Sequence, residues 1–150
     1  MSGDEKPDPA GNIGNAAVFH WPVRVYYEDT DAAGVVYYAN YLKYFERART
    51  EWLRAAGFDQ SVLRDQLGVV FVVRALAADY AAPARFDDAL DVSVAVRAVR
   101  GSVLELAQAV TRKGAVLVTA TARIVCVNTP AFKPVRIPKP ILEKLAMGSA

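Results

Sequence analysis

Cysteine and histidine are scarce in this sequence of 150 residues, and their scarcity narrows the chemistry that it can support. Cys126 is the only cysteine, which excludes a disulfide framework and a multi-cysteine metal site. It falls within a strand pattern, where we expect a buried structural thiol rather than a nucleophile. His20 is the only histidine, so a His-rich metal site or a Ser-His-Asp triad has little basis.

Long hydrophobic runs and a strong charge excess are missing as well. No apolar run approaches the roughly 18 residues of a membrane span, and the first residues lack the apolar core of a secretory signal. The net charge of +2, from 18 basic and 16 acidic residues, is too small to indicate nucleic acid as a partner. The phosphate-binding and nucleophile motifs G-x-G-x-x-G, Walker A and G-x-S-x-G are absent. We expect a cytoplasmic protein without an integral membrane segment that binds no nucleic acid.

The composition is that of one folded domain. With 53% hydrophobic and 23% charged residues, the chain can bury a hydrophobic core without disulfide bonds to stabilise it. Residues 1–17 differ, because their glycines, prolines and polar residues cannot bury enough apolar surface to offset the entropy of ordering. We predict a disordered tail over residues 1–17 and a single domain over residues 18–150.

Helical spacing of apolar residues occurs once over a long stretch. It predicts a helix over 38–56 that ends at Gly57 and buries a wide, aromatic stripe. The residues of this stripe are Leu42, Phe45, Arg49, Trp52, Leu53 and Ala56. Residues 61–67 are predicted to form a short second helix, with Ser61 as its cap and Gly68 as its end.

Apolar and polar residues alternate in most of the remaining chain, which is typical of β-strands. The last three predicted strands are joined by tight turns at Arg100-Gly101 and Lys113-Gly114. The first predicted strand begins near residue 18, and the second runs from residue 69 toward 80. The other three cover residues 92–98, 103–111 and 116–127. Helices and strands do not alternate, so the sequence predicts an α+β domain in which an antiparallel sheet wraps one helix. One terminal helical turn is expected after a proline-rich exit.

The segment between the first strand and the helix concentrates the polar chemistry of the chain. Glu28, Asp29 and Asp31 are followed by two alanines and Gly34, and then by an aromatic cluster at the helix entrance. In one interpretation, the acids cap a turn and favour the helix N-terminus, and the tyrosines are core residues. In the other, a carboxylate lies beside a pocket into which the helix N-terminus projects unpaired N–H groups. Such a pair can attack or hydrate a carbonyl group and stabilise the charge on its oxygen.

Three stretches carry a resemblance to a known family: VRVYYEDTDAAGVVYYANYLKYFERARTEWLR, DYAAPARFDDAL and KPVRIP. Over residues 22–145 the chain closely resembles the hotdog-fold acyl-CoA thioesterases of the 4-hydroxybenzoyl-CoA thioesterase-like group, and within it the Tol–Pal-associated bacterial enzymes. The resemblance implies a hotdog fold, in which a curved antiparallel sheet of about five strands wraps one long helix. It also implies hydrolysis of acyl-CoA to a free acid and CoA without a metal or redox cofactor. Such proteins form homodimers or homotetramers with sites between protomers.

The D-x-x-G motif of the family falls on Asp31 and Gly34. By resemblance, Asp31 is the nucleophile or general base of thioester hydrolysis, and the backbone N–H of Tyr38 polarises the thioester carbonyl. Gly34, Val36 and Tyr37 are expected to contact the substrate. Several relatives carry histidine at the position of Tyr38. Because a phenol is a poor base at neutral pH, a histidine-assisted mechanism does not transfer to this chain.

Basic residues are expected at the mouth of the pocket, because CoA carries phosphates. The family positions at a turn between two strands and before the exit match Arg100 and Lys133, either of which could equally be an ordinary surface charge. Glu28 and Asp29 are expected to be structural, and Glu46 to be a solvated or interfacial helix residue.

Three alternative functions stay open. The first is an acyl-CoA-binding regulatory module of the same fold without catalysis, against which the intact Asp31 argues. The second is a hotdog dehydratase, which needs a catalytic histidine, whereas we expect His20 to lie before the first strand rather than at the helix entrance. The third is a protein partner of the Tol–Pal cell-envelope machinery, which is compatible with catalysis.

Overall fold

Residues 18–146 are described by the computed structural model, and they form an antiparallel sheet packed against one long helix. The sheet has the strand order β1-β3-β4-β5-β2, and every neighbouring pair is antiparallel. The elements are β1 (Phe19–Arg24), α1 (Asn40–Ala55), β2 (Val69–Tyr80), β3 (Ala89–Arg100), β4 (Val103–Arg112), β5 (Ala115–Asn128) and α2 (Lys139–Ala146). The predicted α+β class and the five strands are confirmed. The predicted tail over 1–17 lies outside the described residues.

Tight turns connect the last three strands. Lys113 and Gly114 form the turn predicted for them, and both have positive φ angles, 52° and 83°, as a two-residue hairpin turn requires. The other turn is one residue later than predicted. Arg100 still pairs with Val103 inside the ladder, and Gly101, with a φ of 62°, opens the turn.

The buried face of α1 packs against the inner face of the sheet. Seven residues of the helix are buried: Tyr41, Tyr44, Phe45, Ala48, Arg49, Trp52 and Leu53. Arg49 therefore lies on the buried face as predicted, but Leu42 does not, since it is 42% exposed. Its place is taken by Tyr41 and Tyr44, which follow the helical spacing because they lie four residues before Phe45 and Ala48, respectively.

Two short helical segments differ from the prediction. Residues Val62–Gln66 form a single π-helical turn, and Ser61 does not cap it. Instead, the Asp59 side chain accepts a hydrogen bond of 2.9 Å from the N–H of Val62, three residues later. At the C-terminal end α2 has eight residues rather than one turn, because Ile141 and Leu145 bury one face of a second turn against the core.

His20 lies within β1, which corrects the expectation that it precedes the first strand. It pairs with Ser93 in the ladder between β1 and β3, and its Nδ1 lies 2.7 Å from the Asp91 carboxylate. Both side chains are substantially exposed on the outer face of the sheet. The only histidine is therefore remote from the entrance of α1.

The loop between β2 and β3 brings the start of α1 to one end of the sheet. The N–H of Val36 donates to the carbonyl of Ala84 at 2.8 Å, and Val35 forms an isolated antiparallel bridge with Arg85. The N–H of Val25 donates to Asp88 at 3.0 Å. The segment before α1 is thus fixed where β1 and β2 end and β3 begins.

Candidate active site

Residues 29–37 form a short hairpin-like loop, which we call the 29–37 loop. The N–H of Tyr37 donates to the Asp29 carbonyl, and the N–H of Asp31 donates to the Val35 carbonyl, both at 2.9 Å. Thr30 and Val36 pair between them. Gly34 closes the tip with a φ of 85°, a conformation that glycine adopts without steric cost. The loop places Asp31 at its tip and leads directly into α1.

The Asp31 carboxylate has one oxygen engaged and one free. Its Oδ1 accepts a hydrogen bond of 2.8 Å from the N–H of Ala33, which fixes the side chain across the turn. Within residues 18–146, no protein group donates to Oδ2. The side chain is exposed, so the free oxygen is available to a ligand.

The N–H of Tyr38 is the second free group. The first turn of α1 uses the carbonyls of Tyr37, Tyr38 and Ala39 as acceptors. No acceptor for the Tyr38 N–H occurs in the described part of the chain. A helix N-terminus carries partial positive charge, so an N–H in this position can stabilise negative charge on a ligand oxygen.

An apolar pocket of about 240 Å³ is lined in part by Tyr38. Tyr80 donates its hydroxyl to the Tyr38 carbonyl at 3.3 Å, and the Tyr41 hydroxyl accepts from the N–H of Ala84 at 2.9 Å. Burial raises the pKa of Tyr41, which keeps this phenol uncharged. Both hydroxyls are therefore engaged by protein, and the pocket offers an aromatic surface. It is lined by Val36, Tyr38, Tyr41, Tyr80, Ala81, Ala82 and Pro83.

Five of the predicted site residues lie together. Asp31, Gly34, Val36 and Tyr37 belong to the 29–37 loop, and Tyr38 follows it directly. Val36 is buried beneath the loop, whereas Tyr37 and Tyr38 are 46% and 62% exposed, with ring centroids 5.0 Å apart. The carboxylate thus lies at the tip of the loop that leads into α1, and the free amide follows the base of the loop, where Tyr38 lines the apolar pocket.

Arg100 and Lys133 are not brought to this place within one chain. Arg100 ends β3 and contacts Glu105 at 3.3 Å, whereas the loop that holds Val36 precedes the other end of β3. A strand of this length spans roughly 36 Å. Lys133 and Asn128 form two hydrogen bonds with each other where β5 ends. This is the same end of the sheet as Arg100.

Sequence reasoning missed Tyr80 and Asn40. Tyr80 lies at the end of β2, within one of the stretches that carry the family resemblance, and only the folded loop brings it to Tyr38. Asn40 reaches back from the first residue of α1 to the Asp29 carbonyl at 2.9 Å. Cys126 is fully buried, and burial raises its pKa to about 11, as expected for a structural thiol.

Neither a metal cluster nor a membrane span is evident in the described residues. In 18–146, no three His, Cys, Asp or Glu side chains group as a metal site. None of the helices in this range is long and apolar enough to cross a bilayer.

Comparison with known proteins places the chain in a family. The model of the thioesterase-like superfamily matches residues 25–145. The chain is 47% identical over 123 residues to the acyl-CoA thioesterase YbgC of Haemophilus influenzae, covering 82% of this chain and 90% of that one. It is 45% identical over 131 residues to the acyl-CoA thioester hydrolase YbgC of Escherichia coli O157:H7, covering 87% and 97%.

Solved structures agree with this relationship. A probable thioesterase from Bartonella henselae superimposes with a TM-score of 0.77 at 35% identity, covering 81% of this chain and 100% of that one. The predicted hotdog fold and thioesterase class are confirmed, and the chain belongs to the thioesterase-like superfamily.

Proposed function

We propose that this protein hydrolyses acyl-CoA thioesters to a free carboxylic acid and CoA. The observation that carries the proposal is that one short segment before α1 holds both the free Asp31 oxygen and the free Tyr38 amide, and that Tyr38 also lines the aromatic pocket. The names of the relatives from Haemophilus influenzae and Escherichia coli support the choice of acyl-CoA as substrate.

The Tyr38 amide acts on the thioester carbonyl. The carbonyl oxygen accepts a hydrogen bond from this N–H, and the positive end of α1 stabilises the negative charge that develops on the oxygen during attack. The acyl group lies in the pocket beside the ring of Tyr38. This role belongs to the main chain, so the phenol is not required to act as a base.

Asp31 brings about the attack on the carbonyl carbon by one of two routes. As a nucleophile, its Oδ2 bonds to the carbonyl carbon and the C–S bond breaks, which releases CoA thiolate and leaves a mixed anhydride that water then hydrolyses. As a general base, Oδ2 takes a proton from a water molecule while the water oxygen bonds to the same carbon; the C–S bond then breaks, and the proton held by Asp31 passes to the departing CoA sulfur, which leaves the free acid. The hydrogen bond from Ala33 to Oδ1 orients the carboxylate in either route.

A homodimer completes the site, alone or as half of a homotetramer. β2 is an edge strand of 12 residues, and an open edge of this length favours pairing with another strand. Its Tyr80 end lies at the pocket, and its Val69 end pairs with Asn128, near Lys133. Antiparallel pairing of two β2 strands about a twofold axis sets the Val69 end of one copy beside the Tyr80 end of the other. Basic residues of one copy then face the Asp31 site of the other.

Three broader features accompany this proposal. We propose that residues 18–150 act as one hotdog domain and that the protein works in the cytoplasm. A functional link to the Tol–Pal envelope system stays a prediction from the sequence resemblance.

A substrate panel tests the function. Purified protein is assayed for free-thiol release from short aliphatic, long aliphatic and benzoyl-CoA, alongside Asp31→Asn. We expect hydrolysis of at least one class and a loss of kcat of about 10²-fold or more in Asp31→Asn, with binding changed by a few-fold. The matched control is Asp87→Asn, an exposed carboxylate in the neighbouring loop whose positive φ suits asparagine. Tight binding without turnover in the wild type would instead identify an acyl-CoA-binding module.

A further inference from the structure

Asp29 connects three segments at the base of the 29–37 loop. Its carbonyl oxygen accepts two hydrogen bonds of 2.9 Å, from the N–H of Tyr37 and from the side-chain amide of Asn40. Its carboxylate accepts a third, of 2.8 Å, from the N–H of Tyr26. The residue is only 9% exposed. The turn that follows β1, the 29–37 loop and the first residue of α1 are therefore joined by hydrogen bonds to Asp29.

The second turn of α1 adds to this contact. The Tyr44 hydroxyl is buried, and no hydrogen-bond partner for it occurs in residues 18–146. Burial, together with the negative charge of Asp29, raises the pKa of Tyr44. The hydroxyl keeps its proton, and the anionic side chain of Asp29 lies against a neutral phenol.

The position of Asp29 matters because of what lies on either side of it. Asp31 follows two residues later along one arm of the loop, and Tyr38 follows Tyr37 on the other arm. The hydrogen bonds to the Asp29 carbonyl join the two arms at their base, so a shift there changes the separation between the Asp31 carboxylate and the Tyr38 N–H. Misplacement of reacting groups by about 1 Å can cost on the order of 10²-fold in rate.

We propose that Asp29 and Asn40 are positioning residues for thioester hydrolysis, which hold the Asp31 carboxylate and the Tyr38 amide around the same carbonyl group. This inference rests on the proposed function and extends the structural role expected for Asp29. Asn40 contributes the side-chain bond that ties the start of α1 to the loop, and Asp29 contributes the main-chain acceptor of that bond and the carboxylate that holds the N–H of Tyr26.

Asn40→Ala tests the first half of the proposal. It removes the side-chain donor and leaves the Asp31 and Tyr38 groups in the protein. We expect kcat to fall by about 10-fold or more while KM changes by less than about 3-fold, because ground-state contacts persist and the reacting geometry is lost. The matched control is Asp59→Ala, which removes a side-chain hydrogen bond of the same length to Val62, far from the site. It should lower the melting temperature without changing kcat.

Asp29 variants test the second half. Asp29→Asn keeps an oxygen that can accept from Tyr26, so we expect kcat within about 3-fold of wild type, whereas Asp29→Ala loses this bond and should lose kcat as Asn40→Ala does. Wild-type kcat in Asn40→Ala, with only a lower melting temperature, would overturn the proposal. A loss in Asp29→Asn as deep as in Asp31→Asn would overturn it too, because the charge of Asp29 would then act in the chemistry. Failure of the proposed function is a separate result: no acyl-CoA hydrolysis by the wild type, or full activity in Asp31→Asn.

Discussion

Arg49, on the buried face of α1, donates a hydrogen bond of 2.8 Å to the side-chain oxygen of Gln108 on β4. The same Gln108 side chain donates to the carbonyls of Phe45 and Ser93 at 3.2 and 3.3 Å. Burial lowers the pKa of the Arg49 guanidinium, whose direct partner is a neutral amide. This network connects the middle of α1 to the middle of the sheet. It therefore fixes the rotation of the helix about its own axis.

Gln108→Leu should destabilise the protein by about 2–3 kcal/mol, because it leaves a buried charge without its acceptor. Urea denaturation measures the free energy of unfolding. The double variant Arg49→Met with Gln108→Leu should lose much less than the sum of the two single variants, since neither polar group then remains unpaired. Additive losses would show that the two side chains do not depend on each other.

Tyr38→Phe separates the main chain from the side chain at the helix entrance. It removes the phenol and keeps the N–H, so kcat should fall by about tenfold or less, under roughly 1.4 kcal/mol of barrier. The same thiol-release assay applied to Asp31→Asn provides the comparison. A larger loss for Tyr38→Phe than for Asp31→Asn would make the hydroxyl the essential group.

Tyr80→Ala should extend the range of accepted acyl chains, because the ring forms one wall of the pocket beside Tyr38. The measurement is kcat/KM across straight-chain acyl-CoAs of increasing length. Tyr80→Phe is the control, since it deletes only the hydrogen bond to the Tyr38 carbonyl and keeps the wall. An unchanged length optimum in Tyr80→Ala would place the acyl chain elsewhere.

Arg100→Ala and Lys133→Ala should raise KM for acyl-CoA more than they lower kcat, and the effect should shrink at high salt. Lys139→Ala, which removes another exposed charge on α2, is the control. Mixed dimers test the assignment to the second copy. One chain of the mixed dimer carries Asp31→Asn, and the other carries both Arg100→Ala and Lys133→Ala. One of the two sites then combines an intact Asp31 with intact basic residues and should have the wild-type KM. If basic residues and Asp31 act within the same chain, mixing restores nothing.

Stability should fall as the pH rises from about 9 to 11, with Cys126 as one cause. Burial raises the pKa of this thiol from 9.0 to about 11, so in this range the folded protein keeps a proton that the unfolded chain releases. Unfolding is therefore favoured as pH increases, by on the order of 2 kcal/mol at the upper end. Cys126→Ala should show a smaller decrease between pH 9 and 10, measured by denaturation at each pH. Equal slopes in the two proteins would contradict this origin.

Much of the fold follows from local pattern, because period-2 alternation and tight-turn residues report on β3, β4 and β5 directly. The rotation of α1 does not, since Leu42 and Tyr41 are both apolar and only packing against the sheet decides which is buried. The Asp31 loop could be located because its motif is contiguous. Tyr80 could not, because it reaches Tyr38 only through the loop after β2.

The arrangement at Tyr38 separates two kinds of evolutionary change. Under the proposed mechanism, the peptide group of this residue stabilises charge, while its ring lines the acyl pocket. Substitution by any residue except proline replaces the ring and keeps the peptide N–H. Under this mechanism, substrate preference can therefore change at this position while the main-chain donor is kept.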